Sequence, residues 1–112
     1  MVKIEAVIRP EKLEAVREKL REIGYPGMMV TEMHGHGRQK GLHSDRSDEC
    51  MRINFLPKTK IEIVVKKRDK AKVIDGIFSG ARTGLMGDGK IFVSPVQEVY
   101  RVRTGEKGSK AL

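Results

Sequence analysis

Hydrophobic and polar positions change period along this chain in an order that predicts two strand–helix–strand units. Val2, Ile4, Ala6 and Ile8 alternate with Lys3, Glu5, Val7 and Arg9, the period of two that lays one face of a strand on a core. Pro10 then suits a helix start, where its missing N–H costs nothing. From Glu11 onward, Leu13, Val16, Leu20 and Ile23 recur at helical spacing, with Glu14–Arg17 and Glu18–Arg21 pairs on the wet side. Gly24 is a natural C-terminal stop. A second strand is predicted over about 28–35 and a third over 60–65. A second helix follows Asp69, whose carboxylate is expected to cap it, with Val73, Ile74, Ile77, Phe78 and Ala81 as its buried face. Gly76 and Gly80 lower its intrinsic helicity, and their i, i+4 spacing points instead to a face where another backbone comes close. Residues 91–94 read as a last strand. The tail over 96–103 is expected to be extended, pairing at an edge or with a neighbouring subunit, and 104–112 to be frayed or ordered by a ligand.

The order β-α-β-loop-β-α-β predicts an α+β sandwich, two helices on one face of an antiparallel sheet. Between the halves, residues 37–54 show no sustained periodicity and carry many polar side chains. Loops of that length in a compact domain are generally functional or disordered, and this one is expected to project from the body.

With 112 residues the chain is one domain with room for one modest core. It contains no tryptophan and few aromatics, so burial against further copies would add to a thin core. The formal net charge of +8 fits a solvated basic surface, a nucleic-acid binder or a pocket for small polyanions. Only Phe55, Phe78, Phe92, Tyr25 and Tyr100 could stack on bases, which makes nucleic acid the weaker option. A single cysteine, Cys50, excludes an intrachain disulfide framework. The N-terminus runs straight into the first strand pattern, and no apolar run reaches membrane-spanning length; a cytoplasmic protein is expected. No nucleophile–base pair or spaced carboxylate dyad stands out, so a non-enzymatic role is expected. His34, His36 and His43 invite a metal reading, but without cysteine or carboxylate at helpful spacing ordinary polar contacts fit better.

Candidate chemistry concentrates in two glycine-basic segments. One is Gly35-His36-Gly37-Arg38-Gln39-Lys40-Gly41; the other is Arg82-Thr83-Gly84-Leu85-Met86-Gly87-Asp88-Gly89-Lys90. Glycines admit positive φ and close backbone approach, successive N–H groups form a concave anion site, and neighbouring lysine and arginine supply charge for a polyphosphate. The second segment sits after a helix and before a strand, so it is neither a P-loop nor a dinucleotide fingerprint. Arg101 and Arg103 form a third basic cluster.

These segments, together with 55–65, 82–95 and 101–106, closely resemble the PII nitrogen-regulatory signal proteins, in one register over essentially the whole chain. The resemblance implies a ferredoxin-like βαββαβ domain over 1–112, assembled as a homotrimer, with a protruding T-loop (about 37–54), a phosphate-binding loop (about 82–90) and a C-terminal segment (about 96–112). It implies clefts between subunits that take ATP or ADP through Gly35, Gly37, Arg38, Gln39, Glu62, Val64, Gly87, Asp88, Gly89 and Lys90. Arg101 and Arg103 would reach in from the adjacent subunit. It further implies 2-oxoglutarate as effector on Gln39, Lys40, Gly41, Lys58 and Gly87, with Gln39 contributing to Mg²⁺ beside the ATP phosphates. The T-loop would engage a target such as an ammonium transporter, glutamine synthetase or nitrogenase through Arg46, Asp48, Glu49, Met51 and Arg52; a transporter would draw the protein to a membrane.

The chain departs from the family pattern in places. Met51 stands where bacterial members carry a modifiable tyrosine, so tyrosyl nucleotidylylation is not expected, and Glu49 fills the place of a cyanobacterial phosphoserine. Met29 replaces a threonine that touches the adenine edge. Two alternatives stay open: a nucleotide-only relative answering to another effector, and a nucleic-acid-binding module.

Overall fold

Alternation along the first strand places Ile4, Ala6 and Ile8 inside and leaves Lys3, Glu5 and Val7 on the other face. In the computed structural model, which describes residues 1–35 and 56–112, this strand is β1 (Val2–Ile8). It is followed by α1 (Leu13–Ile23), β2 (Met29–Gly35), β3 (Leu56–Val65), α2 (Lys70–Ala81) and β4 (Lys90–Pro95). The four strands form one antiparallel sheet in the order β2-β3-β1-β4. The T-loop expected over 37–54 lies outside the described residues.

Both helices lie on one face. Val16 and Leu20 of α1 and Val73, Ile77 and Ala81 of α2 close over Ile4, Ala6, Ile8, Ile61, Ile63 and Val65. Fully burying a side chain of this size stabilises by about 1.5–3 kcal/mol, so this cluster is the main favourable contribution to the fold. Gly24 ends α1 at φ 102° with its N–H on the Leu20 and Arg21 carbonyls, as its left-handed freedom predicts. The helices approach most closely at Gly80, where a Cβ would stand 2.8 Å from the Val16 backbone. At Gly76 a Cβ would meet side chains alone, the Ile23 tip at 2.7 Å and Leu20 and Lys19 at 3.8 Å. The expected close approach of another backbone therefore holds at Gly80.

Four expectations need correction. Phe78 is half exposed rather than buried; it sits about 100° round the helix from Ile77, off the stripe that meets the sheet. Asp69 occupies the helix N-cap position but makes no capping bond; its carboxylate accepts a hydrogen bond from the Tyr25 hydroxyl instead. The third strand begins at Leu56, not near 60, because Leu56-Pro57-Lys58 continue the ladder opposite Met33-His34-Gly35. The tail does not remain extended. After Val96 donates its N–H to the Met1 carbonyl, the chain turns back so that Tyr100 bridges Lys107, and a 3-10 turn forms over Gly108–Ala111.

Candidate functional site

Sequence separation and spatial separation part company at the end of the sheet where β1 finishes. Arg9 continues the outward-facing alternation of Lys3, Glu5 and Val7, and Lys58 lies one residue beyond the Ile8–Thr59 pair. The two cations therefore come from neighbouring strands at the same sheet end. Loop 82–89 returns there because β4 starts with Lys90 opposite Val7.

The loop has three positive-φ glycines, Gly84, Gly87 and Gly89. At Gly89 the requirement is absolute: a Cβ would stand 1.7 Å from the Val7 carbonyl oxygen. Lys58 Nζ donates to the Gly87 carbonyl at 2.7 Å. Arg9 Nη2 donates to the Met86 carbonyl at 2.6 Å, and its Nε to Asp88 Oδ1 at 3.2 Å. The Asp88 carboxylate also accepts from the Thr83 hydroxyl and from the Thr83 and Gly84 backbone N–H groups at 2.9 and 2.8 Å.

Electrostatics follow this geometry. The Thr83 hydroxyl, then the Thr83 and Gly84 amides and Arg9, hold the Asp88 carboxyl well below the usual aspartate range, against a smaller opposing effect of burial. Burial pushes the Lys58 ammonium down, and the nearby Arg9 cation adds to that. A lysine with a lowered pKa in a cationic corner gains from an arriving anion.

The remaining nominated residues divide by location. Glu62 and Val64 share the outer face of β3 with Lys58, alternating as i, i+2 positions must. Glu62 pairs with Lys60 at 2.9 Å, and the Lys60 hydrogen bond lowers its pKa. Lys90 is exposed at the start of β4. Arg101 lies at the opposite end of the sheet, its Nη1 on Glu106 Oε1 and its Nη2 on the Leu112 carbonyl, both at 3.2 Å. Arg103 is exposed on the adjacent turn. An open cleft of about 510 Å³ lies at that same end, where Ser109 and Leu112 face Tyr25, Gly27, Val64 and Asp69. Gly35 ends β2. Gly37, Arg38, Gln39, Lys40, Gly41, Arg46, Asp48, Glu49, Met51 and Arg52 fall outside the described residues.

The structure thus brings together Lys58, Gly87, Asp88 and Gly89, and keeps Arg101 and Arg103 away from them. Arg9 was missed. Its signal was its position, one step past the strand end on the outward face of β1, which sequence alone gave only as part of the strand's alternation. Among the described residues, no group of three or more His, Cys, Asp or Glu side chains is placed to hold a metal ion, and no helix is long and apolar enough to cross a membrane.

A family profile described as nitrogen regulatory protein P-II matches residues 1–106. The nitrogen regulatory protein P-II 2 of Methanothermobacter thermautotrophicus is 53% identical over 112 residues, covering all of this chain and 97% of that one. The nitrogen regulatory protein P-II of Azospirillum brasilense is 52% identical over 114 aligned residues, with both chains covered in full. Among solved structures, the crystal structure of Arabidopsis thaliana PII bound to citrate matches with a TM-score of 0.80 at 44% identity, over 98% of this chain and 87% of that chain. Sequence likeness at this level, over the whole length and on the same sheet and helices, shows that the chain belongs to the nitrogen regulatory protein P-II family.

Proposed function

We propose that this chain is a non-enzymatic signalling protein that binds ATP or ADP, and 2-oxoglutarate when MgATP is present, in clefts between the subunits of a homotrimer. The observation that carries the reading is the 2.7 Å contact between Lys58 and the Gly87 carbonyl. These two residues were nominated for the same effector, lie 29 positions apart, and meet beside a glycine loop with amides to offer. A dicarboxylate entering there would have the Lys58 ammonium for one carboxylate and the loop amides for the other. A polycarboxylate, citrate, is the ligand of the Arabidopsis relative, which belongs to the same chemical class.

The intersubunit part rests on distance. Loop 82–89 sits where β1 ends, and the Arg101 turn sits where β1 begins. Seven residues of strand separate them, roughly 20 Å at about 3.3 Å per residue. One chain cannot apply both cation groups to one triphosphate, whereas a second copy presenting its Arg101 and Arg103 can. Such packing would also cover the half-exposed Met29 and Phe92 on the open sheet face.

In the bound state, Gly87, Gly89 and Lys90 would meet the phosphates, with Arg38 and Gln39 entering from the long loop and Gln39 contributing to Mg²⁺. Asp88 would contribute through its backbone, since its carboxylate is engaged within the loop. Glu62 and Val64 would flank the base and ribose, and Lys40, Gly41 and Lys58 would complete the 2-oxoglutarate site. The loop over 37–54 would then select its target by a population shift, each ligand favouring one loop arrangement. Isothermal titration with 2-oxoglutarate, with and without MgATP, tests this. Binding only in the presence of MgATP is expected; tight ATP binding with no 2-oxoglutarate response would reduce the protein to a nucleotide-only regulator.

A further inference from the structure

Loop 82–89 has too much backbone freedom to choose its own orientation. With positive φ at Gly84, Gly87 and Gly89, either side of its peptide planes could face outward as far as local sterics go. Side chains from the sheet settle the choice. In a trans peptide the carbonyl and the following N–H point in opposite directions. Arg9 draws the Met86 carbonyl and Lys58 draws the Gly87 carbonyl. The Gly87 N–H is therefore turned away from Arg9 and the Asp88 N–H away from Lys58, and successive N–H groups left free in this way can receive an anion.

Resting on the nucleotide reading above, we propose that Arg9 is the positioning residue of this anion nest: it fixes which face of the loop presents its amides, without contacting the ligand itself. Two features single it out from Lys58. Arg9 bridges two parts of the loop, the Met86 carbonyl and the Asp88 carboxylate, and the carboxylate in turn ties down the Thr83 and Gly84 amides. A lysine would have to reach both acceptors from a single nitrogen, whereas the guanidinium meets them separately from Nε and Nη2. The Arg9 and Asp88 side chains are only 18% and 24% exposed, and the hydrogen-bonding atoms that face each other are occupied within the protein rather than offered to a ligand. Arg9 also compensates the negative charge of Asp88, which would otherwise repel a phosphate a few ångströms away.

Calorimetric titration of full-length Arg9→Met, Asp88→Ala and the double variant with MgATP tests this, with urea unfolding of each beside it. Arg9→Met is expected to weaken MgATP about tenfold, the loss of one charge-assisted hydrogen-bond bridge. The double variant should lose less than the sum of the two single losses, because the Arg9–Asp88 contact is shared between them, while the Arg9 contact to the Met86 carbonyl keeps it weaker than Asp88→Ala. Arg9→Lys, which keeps the charge and can reach one acceptor, should fall between wild type and Arg9→Met. A merely structural role would lower the unfolding midpoint and leave the affinity of the folded protein unchanged. Wild-type affinity in folded Arg9→Met, or fully additive losses in the double variant, would overturn the proposal. Should Arg9→Met not fold, wild-type affinity in Arg9→Lys would overturn it equally. A wild-type protein that binds neither ATP nor ADP removes the nucleotide reading itself, and this inference falls with it; that outcome is distinct from a binding wild type with an indifferent Arg9 variant.

Discussion

Gly89 joins the candidate ligand loop to the sheet, and Gly89→Ala is the substitution whose cost the structure defines most sharply. Two effects combine. An L side chain at φ 95° costs about 1–2 kcal/mol. The new methyl would also stand 1.7 Å from the Val7 carbonyl oxygen and 2.7 Å from its carbon. Both neighbours are backbone of an inner strand, hydrogen-bonded on either side, and cannot rotate aside. The carbonyl must retreat by over an ångström, which disrupts the β1–β4 ladder beside the Val7–Lys90 pair; one or two lost ladder bonds add about 1–2 kcal/mol. A total of roughly 2–4 kcal/mol is a large share of the 5–15 kcal/mol typical of a domain. Gly84→Ala is the internal control. Its φ is 86°, yet its Cβ would meet nothing within 4 Å, so only the conformational cost of about 1–2 kcal/mol applies. Urea unfolding of both variants by circular dichroism, at one fixed protein concentration because assembly makes the midpoint concentration-dependent, isolates the contribution of the clash. Equal midpoints for the two variants would refute the reasoning, since the clash would then cost nothing.

Other substitutions probe other parts of the same argument. Gly80→Ala should destabilise by about 1–3 kcal/mol by forcing the helices apart at Val16. In Gly76→Ala the Ile23 tip can rotate and the helix gains propensity, so this variant should lie within about 1 kcal/mol of wild type by the same unfolding assay. The Asp88 carboxyl lies below its ordinary 3.8 in the folded state. Its contribution to stability is therefore present above that pH and drains away as acid protonates the folded form; Asp88→Asn should flatten the acid limb below about pH 4 in a pH series of thermal midpoints. Lys58→Ala should abolish calorimetric 2-oxoglutarate binding under MgATP, while Lys90→Ala and Arg103→Ala should each weaken ATP itself by about tenfold, a phosphate contact's worth.

Elements with a repeating burial pattern were legible from sequence. Residues Ile4, Ala6 and Ile8, or Val16 and Leu20, announce themselves because the sheet and helix periods map directly onto one buried face. Legibility failed where a polar side chain had a choice of partner. Asp69 stands at a helix start, and the rule for such positions favours capping, yet the Tyr25 hydroxyl takes its carboxylate. That contact joins residues 44 apart and has no local signature. Tyr25 responds in kind, with burial and then Asp69 raising its pKa. The tail misled for a related reason: a short polar stretch with Gly105 and Gly108 at positive φ has no period from which a turn back on itself could be read.

At the site, sequence reasoning finds residues whose chemistry faces a ligand and misses those whose chemistry is spent on the protein. The glycines of loop 82–89 were nominated because a run of amides on a permissive backbone is what an anion requires, whereas Lys58, a strand-end lysine like many on a surface, was nominated only through the family resemblance. Asp88 is the least obvious member of that loop: a carboxylate beside a phosphate is repulsive, and its place in an anion loop makes sense once its oxygens are seen to be occupied by Thr83, Gly84 and Arg9. Arg9, which makes that arrangement electrically neutral, looks on paper like any outward-facing strand cation. The separation of Arg101 and Arg103 from the loop carries the point further. If both basic clusters serve one ligand, as proposed, their places at opposite ends of one sheet require a second copy to supply Arg101 and Arg103. Dilution therefore becomes a functional experiment: if the site is shared between copies, nucleotide affinity must fall as the assembly dissociates, and an affinity independent of protein concentration down to a monomer would exclude the shared cleft.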